Sequence, residues 1–275
     1  MMTSHDREEK IKEEEKKVEK TLAKIKNRLL VFSGKGGVGK STVSANLSLA
    51  LARKGLKVGL LDVDIHGPNI AKMLGAEDKR LDISPEGIKP VRAAENVKLV
   101  SMSFLLHDPN LPVIWRGPMK MKAIQQFLGD VDWGELDWLI IDSPPGTGDE
   151  PLSVAQLIPA TGAIVVTTPQ EVSLMDSRKA VVFAHKLNLR IVGIIENMSG
   201  MVCPHCRKKI NLFKEGGGEK VSLEFGIPFL GRIPLEPEIV TSGDEGKPFV
   251  IHQPASAASK AFADIVEAII TIQSS

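Results

Sequence analysis

The sequence predicts an α/β fold with a doubly wound, mostly parallel sheet flanked by helices. From residue 29 onward, short apolar runs rich in β-branched residues alternate with helical patterns. Near-continuous apolar strands separated by helices indicate a parallel sheet that is covered on both faces. The first run leads directly into a glycine-rich loop that opens a helix, an arrangement that suits phosphate binding.

Seven apolar runs are predicted strands, and two amphipathic segments are predicted helices. The helices span residues 40–55, where Gly55 is expected to end the first one, and residues 173–188. Because no internal repeat or linker interrupts the pattern, residues 29–275 are expected to form a single domain, with a cysteine-bearing insertion near residues 198–215. The predicted strands are residues 29–33, 57–63, 97–103, 138–142, 162–168, 190–195 and 227–233.

Residues 1–28 are predicted to form a charged helical extension. Lys, Arg, Asp and Glu dominate this segment, and one thin apolar stripe runs through it at helical spacing. We expect an exposed helix laid on the body of the protein. Its role stays open between a charged lead-in without a specific task and a small dimer contact. The stripe consists of Ile11, Val18, Leu22 and Ile25.

Composition excludes several classes of partner. A net charge of +1 provides no global electrostatic attraction for nucleic acid or an anionic membrane, so neither is expected as a partner. No window reaches the roughly 18 consecutive apolar residues of a membrane span, and the first residues contain no apolar signal core. We therefore expect a cytoplasmic protein.

The loop after the first strand fits the phosphate-binding pattern G-x-x-x-x-G-K-[ST] and opens a helix. Its backbone N–H groups would surround a polyphosphate, Lys40 would reach the β- and γ-phosphates, and Ser41 would offer its hydroxyl to Mg²⁺. The sequence therefore predicts ATP binding. The predicted nucleotide contacts are Gly34, Gly36, Gly37, Val38, Gly39, Lys40, Ser41 and Thr42.

Three aspartates end two predicted strands. Asp142 follows four apolar residues and fits the acid that holds Mg²⁺ in such sites, while Asp62 and Asp64 follow another strand. Ligands of open α/β sheets bind at the carboxyl edge, which is where these side chains are expected. Because side chains alternate along a strand, Asp62 and Asp64 would share a face and could both approach the ion. Capping of the strand ends without chemistry is the alternative.

The two cysteines of the chain, Cys203 and Cys206, are three residues apart in the segment MVCPHCRKKI. In a reducing compartment this spacing indicates a metal or redox role, and two thiolates suit an iron-sulfur cluster or zinc. Two ligands do not complete a tetrahedral site. His205 is left out because its adjacency to Cys206 makes chelation of one ion awkward, and His66 is interpreted as a loop residue.

The loop GKGGVGKST resembles the deviant phosphate loop of MinD/ParA-class ATPases. In that class the additional lysine, here Lys35, crosses to the nucleotide of a partner subunit, so the resemblance implies a sandwich dimer. Lys35 would then act in catalysis as arginine fingers do elsewhere. The alternative is a solvated lysine. The second acid of the DVD sequence, Asp64, matches the aspartate that acts on the attacking water.

Six segments in order narrow the resemblance to the Mrp/ApbC family of iron-sulfur cluster carrier ATPases, over about residues 29–250. The family implies cytosolic homodimers that bind ATP and carry a labile [4Fe-4S] cluster to apo-proteins. Asn197 matches its adenine-contacting asparagine. Some relatives carry an N-terminal four-cysteine segment, whereas this chain has no cysteine before residue 203, so no second cluster is expected. The segments are SGKGGVGKST, DVDIHGPNI, WRGPMK, WGELDWLIIDSPPGTGDE, IIENMSGMVCPHC and GRIPLEPEI.

A two-fold axis would complete the metal site, because each subunit would give two thiolates to one bridging cluster. Zn²⁺ is a candidate substitute for the cluster. Three other readings stay open: a partitioning or positioning ATPase with a structural zinc at the dimer interface, an electron-donating ATPase like nitrogenase reductase, and a disulfide oxidoreductase. An electron donor of the nitrogenase-reductase type takes its ligands from two separated cysteines in different loops, which this chain lacks. A thioredoxin-like oxidoreductase needs a cysteine pair that opens a helix after a first strand, and Cys203 and Cys206 do not stand in that position.

Overall fold

The computed structural model describes residues 4–65, 67–106, 117–203, 206 and 208–274, with the backbone alone at residues 4–8 and 11. His66 and His205, whose roles are predicted above, lie outside the described residues. None of the helices in the described part of the chain combines the length and apolar character needed to cross a bilayer.

An eight-stranded sheet forms the centre of the fold, in the order β12-β9-β8-β1-β7-β2-β6-β5. All neighbouring pairs are parallel except β5 with β6. All seven predicted strands are therefore confirmed. The strands are β1 (Ile25–Phe32), β2 (Val58–Asp62), β3 (Asp82–Ser84), β4 (Gly87–Lys89), β5 (Val91–Ala94), β6 (Val97–Ser101), β7 (Leu136–Asp142), β8 (Gly162–Thr167), β9 (Ile191–Glu196), β10 (Met201–Val202), β11 (Lys209–Ile210) and β12 (Phe229–Arg232).

Helices cover both faces of the sheet, which confirms the doubly wound prediction. Leu29 and Val31 of β1 pack into one hydrophobic cluster, and Leu30 and Phe32 pack into the other, as alternation along a strand requires. The helices are α1 (Ser4–Leu22), α2 (Lys40–Ala52), α3 (Ile70–Met73), α4 (Gly117–Gly129), α5 (Asp149–Leu157), α6 (Glu171–Lys186), α7 (Gly217–Phe225), α8 (Pro237–Asp244), α9 (Phe249–His252) and α10 (Ala257–Ser274), with a 3₁₀ turn at Met102–Leu105.

The N-terminal segment departs from its prediction at its end. Helix α1 packs on α4, and Thr21 Oγ1 donates to Gly129 O at 2.9 Å. However, β1 begins at Ile25 rather than at residue 29, so Ile25 is a buried strand residue and not part of a helical stripe. The pattern was misleading because the polar residues of this half-strand have their own partners: Lys26 pairs with Asp137 at 2.7 Å.

Arg28 also belongs to this polar half of β1. Its guanidinium donates to the carbonyl oxygens of Leu22, Ile25 and Pro159 at 3.2, 2.9 and 2.8 Å. Partial burial lowers the pKa of Arg28. These bonds connect the end of α1 to the amino-terminal edge of the sheet, on the side opposite the glycine-rich loop.

Three short elements were not predicted. Strand β5 adds an antiparallel edge to the sheet, and β3 with β4 forms a separate hairpin. Strands β10 and β11 form a second hairpin that contains the cysteine segment, and we call residues 201–210 the cysteine hairpin. Each strand in these elements has four residues or fewer, which is too short to show a clear alternation in the sequence.

Candidate functional site

The glycine-rich loop lies between β1 and α2, at the carboxyl edge of the sheet. Gly37 and Gly39 have φ values of 78° and 80°, in the left-handed region that favours glycine. Two other contacts also demand glycine. A Cβ on Gly34 would lie 2.0 Å from the carbonyl oxygen of Asp176 in α6, and one on Gly39 would lie 2.2 Å from Asn197 Nδ2.

The side chain of Asp142 joins the sheet to the first turn of α2. Ser41 and Ser44 donate to its two carboxylate oxygens, both at 2.6 Å, and Lys40 Nζ lies 2.7 Å from Oδ2. Asp142 and Lys40 are almost completely buried. The structure thus brings together Lys40, Ser41 and Asp142 as predicted. Ser44 was missed, although its position one helical turn after Ser41 places both hydroxyls on the same helix face.

Asp62 lies beside Asp142, because the two residues are register partners in β2 and β7. The Asp62 carboxylate accepts hydrogen bonds from Ser101 Oγ at 2.9 Å and from the backbone N–H of Asp64 at 3.1 Å. Complete burial, and next the charge of Asp142, raise the pKa of Asp62 to about 8 against the lowering effect of Lys40. Asp62 therefore favours its protonated form at neutral pH.

Asp64 has different surroundings from Asp62. It lies two residues beyond the end of β2 and is almost buried, and its Oδ1 accepts from the backbone N–H of Gly67 at 3.2 Å. The expected sharing of one strand face does not extend to Asp64, since β2 ends at Asp62. Asp64 therefore occupies the loop that follows the strand.

The oxygen donors of this cluster suit Mg²⁺. The partly buried hydroxyl of Ser41 contacts the buried Asp142 carboxylate, and the buried Asp62 is the register partner of Asp142; hard oxygen ligands are those that Mg²⁺ prefers. Lys40 neutralises part of the negative charge in the structure. The residues present thus fit the ion, with Ser41, Asp142 and Asp62 as its candidate holders.

The remaining residues of the loop differ in their burial and in their hydrogen bonds. Val38 is buried, Lys35 is half-buried, and Gly36 and Gly37 are exposed at the tip. The carbonyl oxygen of Lys35 accepts a hydrogen bond from Ser33 Oγ at 2.8 Å. Thr42, in the first turn of α2, is partly buried and accepts at its carbonyl oxygen from Asn46 Nδ2.

Asn197 contacts this loop directly. Its Nδ2 donates to Val38 O at 2.9 Å, and its backbone N–H donates to Thr167 O at 2.8 Å. The structure therefore places Asn197 against the phosphate loop, next to the end of β9. The predicted contact of Asn197 with adenine stays a prediction.

Both cysteines lie on the cysteine hairpin. Cys203 is half-exposed and Cys206 is exposed, and both are reduced cysteines outside any disulfide. The backbone N–H of Cys203 donates to Lys208 O at 2.9 Å. Among the residues that the structure describes, no group of three or more His, Cys, Asp or Glu side chains could hold a metal ion. The chain thus presents two thiols at its surface.

Glu196 is a buried carboxylate that sequence reasoning missed. It is the last residue of β9, is fully buried, and accepts hydrogen bonds from Ser199 Oγ and the backbone N–H groups of Gly216 and Gly218. A signal was present, because Glu196 follows an apolar strand just as Asp142 does.

Replacing Asp62 with Asn tests the raised pKa of this carboxyl. Between pH 3.8 and about 8 the folded chain retains a proton on Asp62 that the unfolded chain has released. The folded state then binds more protons, so the free energy of unfolding falls as pH rises, by up to roughly 1.4 kcal/mol per pH unit. Asp62→Asn removes this loss. The melting temperature of the variant minus that of wild type should therefore increase from about pH 5 to pH 8 and stay constant at higher pH.

The measurement is thermal unfolding of metal-free protein across this pH range, with Asp264→Asn as an exposed control that should track wild type. A constant difference between Asp62→Asn and wild type at every pH would contradict the raised pKa.

Comparisons with known proteins agree with this geometry. Residues 24–270 match the ParA family described as NUBPL iron-transfer P-loop NTPase. The chain is 50% identical over 269 residues to an iron-sulfur cluster carrier protein of Methanocaldococcus jannaschii, covering 98% of this chain and 92% of that protein. It is 46% identical over 255 residues to the cytosolic Fe-S cluster assembly factor NUBP2 of Bos taurus, covering 91% and 94%.

Solved structures show the same fold. A nucleotide-binding protein from Archaeoglobus fulgidus, in complex with ADP and with Co found, has a TM-score of 0.76 and 39% identity over 85% of this chain and 91% of that one. The cell division ATPase MinD of Pyrococcus furiosus has a TM-score of 0.67 and 26% identity over 90% and 99%. The predicted MinD/ParA-type fold and the predicted family resemblance are thereby confirmed: the chain belongs to the ParA family of NUBPL-type iron-transfer P-loop NTPases.

Proposed function

We propose that this protein is an ATP-hydrolysing iron-sulfur cluster carrier that works as a cytoplasmic homodimer. It assembles a labile [4Fe-4S] cluster between two subunits and transfers it to apo iron-sulfur proteins. One observation carries this proposal: both cysteines lie on a hairpin that follows β9, and β9 is parallel to β1, so the hairpin and the phosphate loop both leave the sheet at its carboxyl edge. Cargo and nucleotide are thereby held by adjacent parts of one fold.

The nucleotide half of the proposal rests on the cluster around Asp142. Lys40 pairs with Asp142 in the structure, so binding of ATP requires Lys40 Nζ to exchange this carboxylate for the β- and γ-phosphates. Ser41, Asp142 and Asp62 would hold Mg²⁺. When bound, Mg²⁺ neutralises charge on the phosphate oxygens. The departure of Lys40 leaves Asp142 with only hydroxyl donors, which favours a cation at this position.

Asp64 and Lys35 are assigned to hydrolysis. Asp64 lies beyond β2 in a loop where its carboxylate is almost buried and held by the Gly67 N–H, a position suited to orienting a water molecule at the phosphate loop. Lys35 is half-buried at the start of the loop, and we assign it to the nucleotide of the partner subunit. There its charge would stabilise the transferring phosphoryl group.

The cargo half rests on the incomplete ligand set. Two thiolates per chain supply half of a four-cysteine cluster site, and no third ligand group joins them among the described residues. A two-fold axis through the hairpins would bring four thiolates together. Relatives named as iron-sulfur cluster carriers, and a neighbouring structure in which Co was found, support a transition-metal site in this chain. The same four thiolates would also accept Zn²⁺.

A partitioning or positioning ATPase with a structural zinc between subunits is the second candidate. The likeness to MinD structures favours it, with TM-scores of 0.67 and 0.66 at 26% and 27% identity. In this case the cysteines of two subunits would hold one zinc ion permanently. The two candidates therefore differ in whether the thiols bind a transferable iron-sulfur cluster or a fixed zinc ion.

Anaerobic reconstitution with iron and sulfide separates the candidates. We expect about four irons and four sulfides per dimer in wild type, and loss of both in Cys203→Ala and Cys206→Ala, because each variant removes two of the four ligands. Iron and sulfide counts combined with solution mass provide the measurement. Val202→Ala, which truncates an exposed neighbour, is the matched control and should load as wild type does. A dimer that takes up no cluster and holds one Zn²⁺ per two chains would instead indicate the structural-zinc ATPase.

The assignment of Asp64 predicts a kinetic phenotype. Asp64→Asn should lower kcat for ATP hydrolysis by about 100-fold or more, the usual contribution of a group that positions or deprotonates the nucleophile. Binding of ATP should persist, since the phosphate loop is untouched. Phosphate release and equilibrium nucleotide binding are measured in parallel, with the exposed Asp78→Asn as control. Hydrolysis within threefold of wild type would exclude the assigned role.

A further inference from the structure

We propose that Glu196 is a positioning residue that couples the phosphate loop to the cysteine hairpin. That this coupling lets the nucleotide control release of the cluster rests on the proposed function. Glu196 is fully buried at the end of β9, and strand order places it three strands from Asp142. At roughly 4.8 Å per strand this is about 14 Å, outside hydrogen-bond reach of the phosphate cluster. A buried carboxylate is costly, so its retention away from the chemistry calls for another task.

The partners of Glu196 hold both ends of the cysteine hairpin. Ser199, which precedes the hairpin, donates its hydroxyl to Oε1 at 2.5 Å, and the N–H of Gly216, which follows the hairpin, donates to the same oxygen at 3.0 Å. The N–H of Gly218, in the first turn of α7, donates to Glu196 Oε2. One carboxylate thus fixes the chain where it enters the hairpin region and where it leaves it.

Three further contacts hold this region in place. Arg232 in β12 approaches the buried carboxylate, with Nε 3.5 Å from Oε1. Ser199 N–H donates to Ile233 O at 2.9 Å, and Ile233 N–H donates to Glu196 O at 2.8 Å. Glu196 is therefore held by its backbone and its side chain at once, so a shift of this residue is transmitted to both ends of the hairpin.

The phosphate loop is attached to the very next residue. Asn197 Nδ2 donates to Val38 O, and the same nitrogen fills the space where Gly39 would carry a Cβ. Phosphates bind to the backbone N–H groups of such a loop, so any shift of this backbone on nucleotide binding would act on the Val38 carbonyl. The Val38 carbonyl cannot move without stretching or releasing the bond to Asn197. Because Glu196 and Asn197 are consecutive, the displacement reaches the carboxylate that holds the hairpin.

If Glu196 had only a structural role, its replacement would give a different experimental result from the one expected for coupling. If Glu196 only capped α7, its replacement would change stability but leave the cysteines equally responsive to nucleotide. If Glu196 couples the two sites, its replacement removes the response while each site keeps its own binding. Coupling between sites is a free energy, commonly corresponding to a 5- to 150-fold effect.

The test uses the two cysteines as reporters in metal-free, full-length protein. Their alkylation rates are measured by mass spectrometry with and without ADP. We expect ADP to change the rate in wild type by at least about fivefold. In Glu196→Gln the rates with and without ADP should agree within about twofold, while ADP affinity stays close to that of wild type. The matched control is Glu219→Gln, which removes an exposed carboxylate that pairs with the same Arg232 and should retain the full response.

A second variant covers loss of folding in Glu196→Gln. Ser199→Ala removes one donor and leaves the carboxylate, and it should reduce the ADP response by at least half. A wild type without response, or a folded Glu196→Gln with the wild-type response, would overturn the proposal, as would an unchanged response in Ser199→Ala. Because no metal is present, these outcomes are independent of the iron counts that decide the proposed function.

Discussion

The contact between Asp142 and the first turn of α2 is the interaction on which the site depends. A buried carboxylate requires charge compensation and hydrogen bonds, and Lys40, Ser41 and Ser44 supply both. These bonds fix the start of α2 against the centre of the sheet and therefore set the position of the glycine-rich loop. Burial, and next the same negative charge, account for the raised pKa of Asp62 on the neighbouring strand.

Acidic residues at the carboxyl edge of the sheet contact two different regions, the phosphate loop and the segments around the cysteine hairpin. Asp62 and Asp142 end the central strands β2 and β7, where they meet the phosphate loop. Glu196 ends β9, nearer the edge of the sheet, where it meets the segments around the cysteine hairpin. Asn197 lies between these two groups and contacts the loop. A parallel sheet collects such side chains at one edge, because all its strands end there.

Sequence patterns predicted most of the fold because its strands are buried on both faces and therefore read as continuous apolar runs. They failed at the start of β1, where Lys26 and Arg28 find partners in Asp137 and in backbone carbonyls, and at the short strands β5, β10 and β11. The loop, Lys40 and Ser41 were predictable since phosphate binding demands a fixed local spacing. Ser44 was harder to predict, because its role comes from a partner that is distant in sequence: Asp142 lies 98 residues from Ser44. Glu196 carried the same signal as Asp142, an acid at the end of an apolar strand, but its bonds to Gly216 and Gly218 span 20 and 22 residues and could not be read from the local pattern.

The contact between Gly34 and Asp176 has a mechanical consequence. At this point the backbone of the loop lies directly on the backbone of α6, with too little room for even a methyl group between them. Side chains at an interface absorb small displacements by changing rotamer, whereas two touching backbones have no such freedom. The beginning of the loop and this turn of α6 must therefore fluctuate together as one stiff unit. Val172 and Met175 are exposed on the same helix, so a molecule bound at that surface would lie on an element whose backbone contacts the loop directly.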